Sequence, residues 1–430
     1  MVDASLIFQA SILSLGSLRN ISGDIWFTSF LSVIGLIGWS VAMPFFGVYL
    51  SVSRGMPLGE VGITYLLSAI LGFFSQLVGG RLVDSFGVKI VMRYGYLGTS
   101  IAAAVTGYLV IINVNGLLLI LLYPLFNFIR GLSQPSISAL VANRSVADVR
   151  TGFSMQNIGG NLGFAIGPAI GGVLSEYAGY GDIFFVSCFM SLLALTSTTY
   201  WFRKNNTESI QSRKARDSKT KFRLRWTSDK NLILLLILLA FIFFALGYEV
   251  TPMSLFAANF LNIPDSLLGL LFTTNGLVIV FTQIPLMRVF GRISPIAPMI
   301  IGCVLTAASY FLIGISTQFI ELWIAMVIVT LGEVALTVPS QLVVTAFSEP
   351  GNRGTFQGYY FAFSNGGRSI SSFIGPLSFQ IFALHIAVAW YGVAAFILAT
   401  GALLAWISPR VERDYRSKLA RDSTSLDQPP

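Results

Sequence analysis

WFRKNNTESIQSRKARDSKTKFRLRWTSDK, Trp201 to Lys230, is the least apolar stretch of the chain, and its placement decides the fold. It holds ten of the 27 Lys and Arg residues of a 430-residue sequence and shows no apolar periodicity. So charged a run buries too little apolar surface to offset its own ordering entropy, so it reads as a solvated tether. On either side lie two long hydrophobic halves. Apolar residues make up 54% of the chain and charged residues only 11%, against roughly a quarter charged in soluble domains. The apolar residues gather into blocks of about twenty or more, the length that crosses a bilayer core. These features specify an all-α polytopic membrane protein. The basic run is expected to set topology, not to bind nucleic acid, and the lipid bilayer is the first partner implied.

Twelve spans are predicted, six on each side of the tether. In the first half they run Asp24 to Leu50, Glu60 to Gly80, Ile90 to Ile112, Leu117 to Val141, Thr151 to Tyr177 and Asp182 to Trp201. The second half gives Asn231 to Phe260, Ser266 to Val289, Pro295 to Ile315, Glu321 to Phe347, Thr355 to Ala383 and Ile386 to Ile407. The expected organisation is a tail over 1–23, a six-helix bundle over 24–202, a basic linker over 203–230, a second bundle over 231–408 and a tail over 409–430. With both termini in the cytoplasm, 24 cations fall in cytoplasmic segments, two (Arg130 and Arg368) inside spans and one (Arg54) outside. That bias fixes the expected orientation in a cell membrane. Residues 1–23 lack the basic start and cleavage site of a signal peptide and read as a retained amphipathic tail.

Landmarks recur between the halves. Pro44 and Pro252 lie 208 positions apart, as do Gly167-Pro168 and Gly375-Pro376. Phe86-Gly87 and Phe290-Gly291 lie 204 apart, as do Pro135-Ser136 and Pro339-Ser340. Four pairs at nearly one offset argue for duplication of a six-helix unit, with the halves related by a pseudo-two-fold axis normal to the membrane.

Two motifs give this architecture a family. Gly80-Arg-Leu-Val-Asp84-Ser-Phe-Gly87-Val-Lys89 resembles the signature between spans two and three of the major facilitator superfamily. Asn161-Leu-Gly163-Phe-Ala-Ile-Gly167-Pro168-Ala-Ile-Gly171-Gly172 resembles the span-five signature of that superfamily's drug–proton antiporters. The resemblance covers roughly Asp24 to Ile407 and implies alternating-access transport, with export the favoured direction. By the same resemblance Asp84, with Gly80, Gly87 and Lys89, forms a gate engaging the start of span eleven near Gly354 and Thr355. Two positions that are basic in the family hold Ser85 and Val88, and the second-half counterpart has Arg288 where the acid would stand. Small residues four apart let helices pack backbone to backbone, and Pro168 permits a bend, which suits a rocking element.

Four ionisable residues fall well inside spans: Arg130, Glu249, Glu333 and Arg368. Each costs at least about 2.5 kcal/mol at a helix centre, so each is a functional candidate by default. Glu249 precedes Pro252 by three residues, beside an expected helix break, and is the first choice for proton coupling; its alternative is an acid satisfied by Arg368. Glu333 is a proton carrier or a paired structural acid. Arg130, in Phe128-Ile-Arg130-Gly-Leu-Ser-Gln134, resembles a span-four motif in which a buried arginine supports coupling. Arg368, Asn157, Gln134, Asn127, Tyr248 and Asn275 are candidate donors and acceptors of a substrate cavity; were both arginines unpaired, organic anions would gain as cargo.

No phosphate-binding Gly-Lys-Ser/Thr loop occurs, so gradients, not ATP, are the expected energy source. The single His385 and the two cysteines, Cys188 and Cys303, offer no metal cluster or disulfide framework, and no cofactor is expected. The resulting expectation is a monomeric proton-coupled exporter of small amphipathic compounds, with protons and a small-molecule substrate as partners. Symport uptake of an organic anion or other nutrient is the alternative, and a membrane-embedded enzyme using Glu249 and Glu333 as an acid pair the remote one.

Overall fold

A computed structural model describes residues 22–142, 146–204, 229–290, 293–347 and 353–426, apart from the side chains of 142, 146–151, 353–355, 357 and 416–426. Most of the tether, most of the N-terminal tail and the latch positions Gly354 and Thr355 therefore lie outside the described side chains. Every regular element among the described residues is helical. Eleven helices are long and apolar enough to cross a membrane: Gly23–Ser53, Leu58–Phe86, Val88–Ile111, Gly116–Val141, Gly152–Tyr177, Tyr180–Lys204, Lys230–Phe260, Asp265–Phe290, Ile296–Ile315, Phe319–Ala346 and Ala387–Tyr415. A twelfth, Arg353–Ile381, has the length and a more polar, Gly- and Ser-rich face. They are spans one to twelve in order along the chain, with Arg353–Ile381 as span eleven. The protein is thus an all-α, multi-pass membrane protein built as two six-helix halves.

Several helices outrun their apolar blocks. Span two continues to Phe86, so Asp84 sits on its last turn and not in a loop, and Gly87 ends it at φ +84, a left-handed geometry that glycine adopts without penalty. The helix of span twelve continues through Pro409 to Leu426.

Proline sets the breaks. Span one is helical to Ser40, turns at Val41 and Ala42, resumes with Pro44 in its first turn and ends in a π-helical turn over Tyr49–Ser53. Its duplicate, span seven, is helical to Leu246, tightens into a 3₁₀ turn over Gly247–Glu249 and restarts at Thr251, one residue before Pro252. Pro252 supplies no N–H, and its ring disfavours a helical residue before it, so the ladder gives way at this turn. In the first half, Phe27, Leu31 and Ile34 of span one meet Val88, Met92 and Tyr96 of span three and Ile137 and Leu140 of span four in one buried cluster.

By compactness the described residues form two units. One gathers the first-half spans with Met253–Leu277, and the other holds 229–252 and 278–426. The chain passes between them at the span-seven break.

Candidate functional site: a shared arginine and an acid-free one

Span seven brings Glu249 to span eleven by way of a glycine. A Cβ on Gly247 would lie 2.9 Å from the Arg368 Cα, so only a bare backbone allows this approach. Gly375, one face further along span eleven, takes Pro252 in the same way. The tight turn then places Glu249, 3% exposed, against Arg368. Arg368 Nη1 lies 3.1 Å from Glu249 Oε1, and its Nη2 lies 2.6 Å from Glu333 Oε1, contributed by span ten. The guanidinium also lies over the Phe243 ring, 5.3 Å from its centroid. One cation thus serves two carboxylates, and the ionised triad carries a net charge of −1. Glu249 Oε2 is buried and has no hydrogen-bond partner among the described residues.

Arg130 stands in the other unit, on span four, under different conditions. Among the described residues it makes no ion pair; its guanidinium lies over the Trp39 ring of span one at 5.2 Å. Trp39 Nε1 donates to Asn127 Oδ1 at 3.2 Å, and Asn127 Nδ2 donates to the Tyr123 carbonyl at 2.9 Å, so the ring is held in place. The span-four helix turns at Leu132 and Ser133, just past Arg130, and resumes at Gln134. Beyond this turn Gln134, Ile137 and Ser138, with Leu31, Ser32, Gly35 and Leu36 of span one and Gln156 of span five, line a cavity of about 70 Å³.

The other candidates are spread more widely. Tyr248 is buried among Phe244, Tyr310 and Trp390. Asn275 is buried on span eight, and Asn157 is exposed on span five. Asp84 is exposed at the end of span two, and Lys89 half-buried at the start of span three. A Cβ on Gly80 would meet nothing within 4 Å, whereas one on its neighbour Gly79 would lie 3.0 Å from the Leu132 backbone. The close approach belongs to Gly79.

Span five divides its small residues between two neighbours. Gly159, Gly163, Gly167 and Gly171 face the carbonyls of Ser29, Val33, Ile37 and Val41 on span one, each glycine too close for a side chain. Gly172 and the Pro168 carbonyl instead face Asp265 and Gly269 at the start of span eight. Three polar residues absent from the sequence reading matter nearby or inside the sites. Trp39 is one. Ser51 and Asn259 are the others: Asn259 Nδ2 donates to Ser51 Oγ at 2.9 Å across 208 positions, the offset of the duplication itself, which was the available signal. Glu176, after the span-five motif, accepts from the Ser266 N–H at 2.9 Å.

Comparison with known proteins places this architecture. Residues 28–258 and, again, 237–426 match the Major Facilitator Superfamily. The chain belongs to that superfamily. It is 26% identical over 401 residues to the MFS-type transporter YttB of Bacillus subtilis, covering 91% of this chain and 95% of the relative. To the quinolone resistance protein NorA of Staphylococcus aureus it is 22% identical, covering 92% and 97%. To the multi-drug resistance efflux pump PmrA homolog of Lactococcus lactis it is 25% identical, covering 70% and 74%. The crystal structure of a peptide transporter POT in complex with sulfate superposes with a TM-score of 0.71 at 16% identity, covering 96% of this chain and 99% of that one. The chain is accordingly a membrane transporter and not an enzyme.

Proposed function

We propose that this transporter is a proton-coupled exporter of small amphipathic compounds, working as a monomer by alternating access in the cell membrane, with both termini cytoplasmic. The observation that carries the proposal is the charge count of the triad: two carboxylates, Glu249 and Glu333, share the single guanidinium of Arg368. Inside a bilayer an uncompensated charge costs several kcal/mol or more to carry. One proton removes it. Glu249 Oε2, buried and without a hydrogen-bond partner among the described residues, is the natural place for that proton, because Oε1 is already held by Arg368. Protons on such a pair belong to the pair, so either acid can record the coupled step.

A loaded, neutral triad and an empty, charged one differ in their cost within lipid, so proton movement can bias which face the transporter opens. Glu249 sits beside the span-seven break, where a change of charge can alter the local backbone. Asp84 would gate and span five would flex. Export is favoured by the names of two relatives, a quinolone resistance protein and a multi-drug resistance efflux pump homolog. Anion uptake drew on two unpaired arginines, and Arg368 is paired twice.

In proteoliposomes with an imposed pH gradient, E249Q is expected to abolish proton-driven quinolone movement while leaving counterflow exchange intact. Coupled transport at the wild-type rate in both E249Q and E333Q would overturn the proposal. Cargo uptake driven by acid on the outer face would replace export with symport.

A further inference from the structure

Beside the triad, one intramembrane charge, Arg130, has no opposite among the described residues. Of the four ionisable residues placed well inside spans, Glu249, Glu333 and Arg368 form one ion-paired group, and Arg130 lies over the Trp39 ring with no acid paired to it among the described residues. A guanidinium cannot shed its charge in a protein, so desolvation leaves it a standing demand for an anion. The surroundings are arranged to present it. Trp39 supports one side of the guanidinium, and Asn127 fixes Trp39 through the indole N–H. Gln134 lies one turn beyond Arg130 on span four and Leu36 one turn before Trp39 on span one, and both line the 70 Å³ cavity. That volume has room for a small polar group or about two waters. Ser32, Ser138 and Gln156 add hydrogen-bonding groups to its wall.

From this we infer that Arg130 is the anchor for an acidic group on the cargo, so that the transported amphipathic compounds include aromatic or aliphatic carboxylates. Arg130 pairs with the carboxylate, with its fork geometry free for two parallel hydrogen bonds. Trp39 positions the guanidinium, and the adjoining cavity takes the rest of the acid's hydration. Arg368, engaged by two glutamates, has no such vacancy. The inference rests on the transport role proposed above, of which it specifies the cargo.

The test is a ligand series of one shape and three charges: 2-naphthoate, 2-naphthamide and 2-naphthylmethylammonium. Thermal stabilisation is measured on purified full-length protein in neutral maltoside detergent, with and without added phosphatidylglycerol. The acid alone is expected to raise the melting temperature of the wild type, with an affinity about tenfold or more above the amide. R130Q should abolish that preference, and R130K, which keeps the charge without the fork, should retain part of it. The acid should also quench fluorescence in the wild type and not in W39F. Phosphatidylglycerol competing away the acid's effect would make a lipid headgroup the occupant and overturn the cargo assignment. Equal stabilisation by acid and amide in the wild type would overturn it without any variant, and so would an R130Q protein that keeps the preference. Loss of proton coupling in the vesicle assay with acid binding intact would sink the proposed function and leave Arg130 as an anion anchor.

Discussion

Arg368 and Arg130 both lie inside membrane spans, both beneath or above an aromatic ring at little more than 5 Å, and they have opposite electrostatic lives. Arg368 is outnumbered by two carboxylates; Arg130 has none among the described residues. The duplication explains the likeness of the scaffolds and not the difference in charge. Shifted by 204 positions, Arg130 falls on Val334, beside Glu333; shifted by 208, Arg368 falls on Gly160 and Glu249 on Val41. Breaks and small residues were kept in both copies, whereas each of these charged residues occurs in one copy only. A repeated frame has therefore acquired two unlike centres, one with two acids to a single cation and one with a cation and no acid among the described residues.

The contrast can be broken most sharply at Arg368. R368Q should destabilise the purified protein by about 3–5 kcal/mol, because the buried Glu249 and the largely buried Glu333 both lose their counter-charge. R130Q should change stability by about 1 kcal/mol or less, since no acid is orphaned. Comparable losses in the two melting curves would erase the distinction. Next in size is the rescue: adding E249Q and E333Q to R368Q should recover most of the lost stability, as removing a buried charge set together is far milder than removing one member. A triple variant no better than R368Q would show that packing, not charge, holds the triad. Smaller again, W39F should cost about 1 kcal/mol by leaving the Asn127 carbonyl without its indole donor, and should weaken acid binding without touching proton coupling. The least effect is expected for N259A, about 0.5–1.5 kcal/mol from one hydrogen bond, read as a shift in melting temperature.

Much of this was legible one residue at a time. The twelve apolar blocks, the break before Pro252 and the four intramembrane charges needed only composition, length and proline chemistry. Partner choice did not follow. Glu249 and Arg368 are separated by 119 positions and Glu333 and Arg368 by 35, and nothing in one dimension says that a single guanidinium bridges both acids. Trp39 escaped notice because a tryptophan in an apolar span looks like filler until its N–H and its ring face are seen to be used. In span two the close approach falls to Gly79 and not to the motif's Gly80, because the two differ only in which way the helix turns them. Of the four glycines in the span-five motif, Gly163, Gly167 and Gly171 face span one within the same half, and Gly172 faces the start of span eight.

That seam between spans one and five is periodic. Its glycines stand four residues apart, and so do the carbonyls they meet, Ser29, Val33, Ile37 and Val41. Sliding one helix past the other by four residues, about 6 Å at 1.5 Å per residue, brings three of the four glycines back over a carbonyl. Adjacent registers thus differ by a single rung in this backbone-to-backbone seam, so its periodicity alone does not pin one register, and the side chains outside the glycine row must.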